Sequence, residues 1–264
     1  MRKYLELLKY EIKTLYKDST NLFMIIYPFM MLALLAFLVP EIIKPANAET
    51  ARIVLLIALS LSLMVGAYIS GVLIGFSFIE NKDENTILSI AVTPTSLSGY
   101  IMFKIVFAII MSFFSNLLIL GGLKLLASDH YVIIAGIKTI KLLDNLGWSK
   151  VLIFSFVSSL FVPAVALLFG TYAKNKIEGF AFLKGGALVI MLPVLTILKI
   201  FQNQFQYILG ILPNFWPLKA MLNEATQSND SSNLSYYGYM LIGIIYFALI
   251  FIFSFRNFRK RIHD

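Results

Sequence analysis

Six apolar stretches, at about 22–39, 53–79, 101–126, 151–173, 180–200 and 238–255, run along the chain, and every carboxylate and both histidines fall outside them. Each stretch is 18 residues or longer. At 1.5 Å per residue that is enough to cross the ~30 Å hydrocarbon core of a bilayer. The segment Leu22–Val39 carries no charge and eleven Leu, Ile, Phe or Val side chains, worth together roughly −3 to −7 kcal/mol of insertion. Six such segments exclude a soluble fold. The expected class is an all-α integral membrane protein with six transmembrane helices, forming one transmembrane domain over residues 1–264.

Charge is scarce where it matters. Only 14% of residues are charged, against about 25% in soluble domains, and the mean hydropathy is +0.84. The net charge of +8 follows the ends of the spans, where anionic head groups attract lysine and arginine, so it does not point to nucleic acid. Cysteine is absent, which removes disulfides, thiolate metal sites and thiol nucleophiles. With the N-terminus inside, inner segments hold 14 of the lysines and arginines and outer segments 8. That bias predicts both termini in the cytoplasm.

Residues 2–17 read as an amphipathic helix, with Leu5, Leu8, Ile12 and Leu15 on one stripe, suited to the inner head-group layer. Pro28, Pro163 and Pro193 stand inside the first, fourth and fifth spans and are expected to kink them. Small residues at Gly66, Ala67, Gly71 and Gly75 predict a close helix seam, within the chain or between subunits. In the loop 127–150, the spacing of Ile133, Ile134, Ile137, Ile140 and Leu143 predicts a short amphipathic helix on the outer surface. Before the last span, the run Tyr207–Leu212 is too short to cross and precedes Pro213-Asn214-Phe215-Trp216-Pro217, which predicts a re-entrant or interfacial hairpin. Ala46-Asn47-Ala48 has the small-residue pattern of a signal-peptidase site, but the apolar run before it is longer than a signal peptide needs, so the first span is retained.

No G-x-x-x-x-G-K-[ST] loop, no G-x-G-x-x-G and no HExxH occurs in the chain, so no nucleotide-phosphate cradle or zincin site is expected. No carboxylate lies inside a span, where a proton pump, channel or intramembrane protease would need one. No catalytic residue and no metal site is therefore assigned. Ser112, Ser115, Asn116, Ser155, Ser158 and Ser159 are candidates to line a weakly polar pathway, or else bond the preceding turn of their own helices.

The loop after the second span is unlike a passive connector. It reads Glu80-Asn81-Lys82-Asp83-Glu84-Asn85-Thr86-Ile87-Leu88-Ser89-Ile90-Ala91-Val92-Thr93-Pro94, acids followed by a short helical run that Asp83 or Asn85 can cap and Pro94 ends. Apolar side chains such as Ile87 and Leu88 on the inner side need a groove or the membrane surface to cover them. This loop, with Tyr100 and Lys104 opening the next span, resembles the signature of type-2 ATP-binding-cassette (ABC) exporter permeases. It departs at Asn85, where the family has glycine. Asn tolerates a left-handed backbone and caps helices. A second segment, Lys174-Asn175-Lys176-Ile177-Glu178-Gly179, and the later Leu212–Lys219 run are similar to a subgroup named for fluoroquinolone export.

The resemblance implies the membrane half of an ABC exporter. Its partners would be an ABC ATPase subunit, which would hold ATP and Mg, and a second permease, identical or not, all embedded among membrane lipids. The chain itself would need no cofactor. Residues implied to couple to the ATPase are Glu80, Glu84, Thr86, Ile87, Leu88, Thr93, Pro94, Lys174, Lys176 and Glu178. A small amphipathic or drug-like cargo would move by alternating access. A secondary carrier, which would show inverted repeats, and a membrane-embedded enzyme are the rival readings.

Overall fold

The computed structural model describes residues 19–83, 97–135, 138–228 and 230–263. The predicted amphipathic helix 2–17 and the short run Thr86–Val92 lie outside these. Six helices are long and apolar enough to cross a membrane: Ile25–Ile43, Ala48–Lys82, Ser98–Leu126, Trp148–Tyr172, Lys176–Ile197 and Tyr236–Lys260. They match the six predicted stretches in order, with the ends moved by a few residues.

The first span shows how proline shapes a helix. It consists of α1 (Ser19–Ala33), a π-helical turn at Leu34–Leu38, and α2 (Val39–Ile43). The N–H of Val39 reaches the carbonyl of Leu34, one residue further than in an α-helix. In that register the carbonyl of Leu35 would accept from residue 40, and Pro40 has no N–H. The hydroxyl of Tyr131 donates to Leu35 instead, at 2.9 Å. The irregularity thus sits before Pro40 rather than at Pro28.

The second span, α3 (Ala48–Asp83), has 36 residues and so measures roughly 54 Å, longer than the bilayer core is thick. Its polar ends project from the hydrocarbon. Asn47 accepts from the N–H of Thr50 at 2.8 Å, which makes it the cap of this helix. The third span is α4 (Leu97–Leu126). The loop after it is not the amphipathic helix the spacing suggests but an antiparallel hairpin of β1 (Val132–Ala135) and β2 (Lys138–Lys141), with Ile133 opposite Ile140. Ile133 is buried while Ile134 is 56% exposed, a period of two rather than 3.6. Clustered β-branched side chains favour that outcome.

The fourth span is broken, as Pro163 predicts, into α5 (Trp148–Ser159) and α6 (Val162–Tyr172). The fifth begins as α7 (Lys176–Met191) and tightens to 3₁₀ at Leu192–Ile197, where Pro193 falls. A 3₁₀ segment (Gln204–Ile211) then turns through Asn214, which adopts the left-handed φ of 63°, into α8 (Phe215–Thr226). The indole of Trp216 donates to the carbonyl of Gly210 at 3.0 Å and stacks on Tyr207. These contacts close the hairpin expected before the last span, α9 (Tyr236–His263).

Packing grades the spans, with the third intermediate at 50% buried. The second and fourth are 67% and 72% buried, whereas the first, fifth and sixth are only 28%, 17% and 28% buried. The small-residue seam lies within the chain. A Cβ added at Gly71 would stand 2.6 Å from that of Val165, and one at Gly75 would stand 2.5 Å from that of Phe169. Glycine therefore lets α3 and α6 approach at backbone distance.

Candidate functional site

The thinly packed fifth span stands off the bundle and leaves an apolar cleft of about 450 Å³ between itself and the first and second spans. Phe23, Val72, Phe76, Phe180, Leu183 and Met191 supply much of its wall. Side chains at 72 and 76 come from one face of α3, and those at 180, 183 and 187 from one face of α7, as the helical repeat requires. The rings of Phe76 and Phe180 meet at 4.9 Å. The Tyr68 hydroxyl crosses from α3 to donate to the Leu183 carbonyl at 2.7 Å. Tyr68 and Ile190 also face a second apolar space of about 360 Å³, between the fourth, fifth and sixth spans. The fifth span is therefore flanked by open apolar volume on two sides, which lowers its local stability relative to the core helices.

One end of the cleft is polar. Glu80, in the last turn of α3, forms an ion pair with Lys176, in the first turn of α7, and both residues line the cleft. Lys176 occupies a helix N-terminus, where a cation is disfavoured by the macrodipole. Asn175 caps that helix by accepting from the N–H of Glu178 at 2.9 Å, and Glu178 accepts from the N–H of Lys174 at 2.8 Å. Glu178 thus bonds to the residue before the cap rather than to the cap itself, and helps fix the turn that presents Lys176. Nearby, the buried ammonium of Lys104 donates to the Ser77 hydroxyl at 2.6 Å and lies over the ring of Tyr100. The Tyr100 hydroxyl accepts from Asn81 at 3.2 Å. Lys82 donates to the carbonyl of Gly170 and sits over Phe258. The second, fourth and sixth spans thus end together, beside the basic segment Arg256–Lys260.

The predicted site residues divide accordingly. Glu80, Lys174, Lys176 and Glu178 come together at this end, while Glu84, Thr86, Ile87, Leu88, Thr93 and Pro94 lie outside the described residues. The pathway candidates stand elsewhere. Ser112, Ser115, Asn116, Ser155, Ser158 and Ser159 are all buried, and none lines either apolar space. Ser155 and Ser159 donate to the carbonyls of Val151 and Phe156, at 2.8 and 2.6 Å, bonding the preceding turn of their own helix. Asn116 fits against Gly66 of α3, where a Cβ would collide with it. The cleft walls were missed because their residues read as ordinary span residues. Tyr68 and Ser77, hydroxyls on a mostly apolar face of α3, are signals that could have marked them. Among the described residues no three His, Asp or Glu side chains are grouped to hold a metal ion.

The family model for fluoroquinolones export permease protein Rv2686c-like matches residues 11–255. The chain belongs to this family. The match includes both segments of the polar cleft end and the hairpin before the last span. Two curated members of the same name type are similar to it throughout. Fluoroquinolones export permease protein Rv2686c from Mycobacterium tuberculosis strain ATCC 25618 / H37Rv is 22% identical over 256 residues, covering 95% of this chain and 92% of that protein. Fluoroquinolones export permease protein MT2760 from strain CDC 1551 / Oshkosh matches to the same extent. This member of the export permease family is a multi-pass membrane protein.

Proposed function

We propose that the chain is the transmembrane permease subunit of an ATP-driven ABC exporter, and that a small amphipathic, drug-like molecule passes through the cleft between the first, second and fifth spans. The observation that carries this reading is the cleft itself: apolar along its length, and closed at one end by an ion pair between Glu80 and Lys176. Glu80 belongs to the loop that resembles the ABC-exporter signature, and Lys176 to the segment similar to the fluoroquinolone-export subgroup. A separate ATPase subunit would bind ATP and Mg and engage this end. Closure of the ATPase dimer would then move α3 against the loosely held fifth span, opening the cleft toward the opposite side. A second permease, identical or not, completes the assembly in this reading.

The Glu80–Lys176 end is the cytoplasmic one, with both termini on that side, as the positive charge bias supports. Single cysteines placed at positions 2 and 262, in a chain that has none, should resist a membrane-impermeant thiol reagent in intact cells. Labelling of either overturns the orientation.

Inside-out vesicles carrying the chain and its ATPase test the function. They should accumulate a fluorescent fluoroquinolone only with ATP and Mg, and lose that activity when the Walker lysine of the ATPase is replaced. Accumulation driven by a proton gradient without ATP would instead make the chain a secondary carrier. The Thr86–Val92 run is read from sequence as the groove-binding element. Burying a leucine contributes roughly 1.5–3 kcal/mol, so Leu88→Asp should weaken co-purification with the ATPase at least tenfold while leaving membrane insertion intact.

A further inference from the structure

The end of the bundle opposite the Glu80–Lys176 pair holds a second site of different chemistry. There the start of α3, the β1–β2 hairpin, the 3₁₀ end of the fifth span and α8 enclose a cavity of about 270 Å³. Lys219 of α8 lines it and is only 6% exposed. Among the described residues Lys219 makes no hydrogen bond and no ion pair. Asp230 shares the cavity wall, but its carboxylate is turned to its own loop, where it accepts from the N–H of Ser232 at 3.0 Å. Burial holds the Lys219 ammonium below the ordinary lysine range, with Asp230 pulling weakly the other way. The hydroxyl of Thr196, 3% exposed, also lines the cavity and has no hydrogen-bond partner. Arg52 stands exposed at the mouth, and Leu56, Ile133 and Ile197 form apolar wall.

A buried cation without a partner is costly, and a buried hydroxyl without one adds to that cost. Both are offset if a ligand supplies a negative group that accepts from them. We infer that this cavity binds an amphiphile with one anionic group, a carboxylate or phosphate held by Lys219 and Thr196 with Arg52 at the entrance, its apolar body lying along Leu56, Ile133 and Ile197. The charge balance fits a single anion, because Arg52 and Lys219 outnumber Asp230 by one. The site stands apart from the cleft and does not depend on the transport reading. Its occupant is a single-chain amphiphile or the head group of an anionic lipid, and these share the same chemistry.

Native mass spectrometry of the full chain in a neutral detergent tests the assignment, with palmitate, phosphatidylglycerol and hexadecanol as separate probes. Palmitate, phosphatidylglycerol or both should bind, and hexadecanol at least tenfold more weakly. Lys219→Gln should reduce binding of the anionic probes at least tenfold and leave hexadecanol unchanged, whereas Lys219→Arg should retain it. Binding of palmitate alone identifies a single-chain carboxylate site, and binding of phosphatidylglycerol alone a lipid head-group site. Should Lys219→Gln fail to fold, Arg52→Gln decides, since an exposed arginine is dispensable for folding and its loss should weaken anion binding about threefold or more. Equal binding of hexadecanol, no binding of either anion, or anion binding indifferent to Lys219 and Arg52 overturns the inference.

Discussion

At one end of the bundle Lys176 meets Glu80 on side chains that keep 53% and 30% of their surface. At the other, Lys219 is 6% exposed and has no such partner among the described residues. The first lysine is paired where pairing is worth little, because solvent screens it and surface ion pairs contribute about 0–1 kcal/mol. The second is unpaired where the absence of a partner is expensive. A weak exposed pair can open and re-form at small energetic cost, which suits an end of the molecule that moves in the proposed mechanism. A buried uncompensated charge is tolerated when a ligand completes it. Under the two proposals the ends divide the work: one suits switching, the other suits binding.

Replacing Lys219 by methionine gives the largest expected effect. It removes a buried charge while keeping most of the apolar stem, so the fold should gain about 1–3 kcal/mol and melt at higher temperature. The pH dependence has a definite sign. Lys219 releases its proton at a lower pH in the folded chain than at the ordinary lysine value of 10.5. Between those two points the unfolded chain binds more protons, so the wild type gains stability as pH rises through that window. Below the window the full cost of burying the charge is present. Thermal melts of Lys219→Met should lack this alkaline gain. A variant that melts lower than wild type at neutral pH would mean that the lysine already has a stabilising partner.

The helical frame was legible because a bilayer imposes it: 18 or more apolar residues have few other places to go. The breaks were legible where proline removes a donor, at Pro163 and Pro193, but the break before Pro40 depended on Tyr131 reaching the freed carbonyl of Leu35. The β1–β2 hairpin was not legible. Over so short a stretch, isoleucines at 133, 134 and 140 fit a helical repeat and a strand repeat alike, and only the burial of Ile133 under its neighbours decides. Glu80, Lys176 and Glu178 were singled out because their segments resemble those of a known family, and the structure brings them together at one end of the cleft. The cleft was hidden, since Val72 and Phe76 meet Phe180 and Leu183 across about a hundred residues of chain. The serines of the third and fourth spans drew attention by polarity alone, and polarity does not say which face of a helix fronts a space.

Between the two ends, Tyr68→Phe probes how firmly the fifth span is held. The Leu183 carbonyl belongs to a helix and keeps its own backbone partner, so losing the 2.7 Å bond from Tyr68 should cost only about 0.5–1.5 kcal/mol. Because the fifth span is 17% buried, that loss should fall on its local opening rather than on global unfolding. Hydrogen exchange should rise in residues 176–191 and stay unchanged in 162–172. Equal acceleration in both segments would mean that the fifth span is no looser than the core.

The smallest effect on stability, and the sharpest test of the switching end, is exchange of its two charges. Glu80 sits at the C-terminal turn of α3 and Lys176 at the N-terminal turn of α7. Both placements oppose the helix macrodipoles, which favour cations at C-termini and anions at N-termini by about 0.3–1 kcal/mol each at exposed positions. The pair as it stands is therefore not the arrangement that stability alone would select. Glu80→Lys combined with Lys176→Glu keeps the pair, aligns both charges with the dipoles, and should melt no lower than wild type. Glu80→Lys alone puts two cations together and, in the proposed complex with an ATPase, should impair cargo-stimulated ATP hydrolysis severalfold. If the pair acts only within this chain, the double exchange should restore hydrolysis. If Glu80 must also meet a basic residue of the ATPase, the double exchange stays impaired despite its intact stability. Should Glu80→Lys hydrolyse ATP like wild type, the ion pair is a surface contact with no part in coupling.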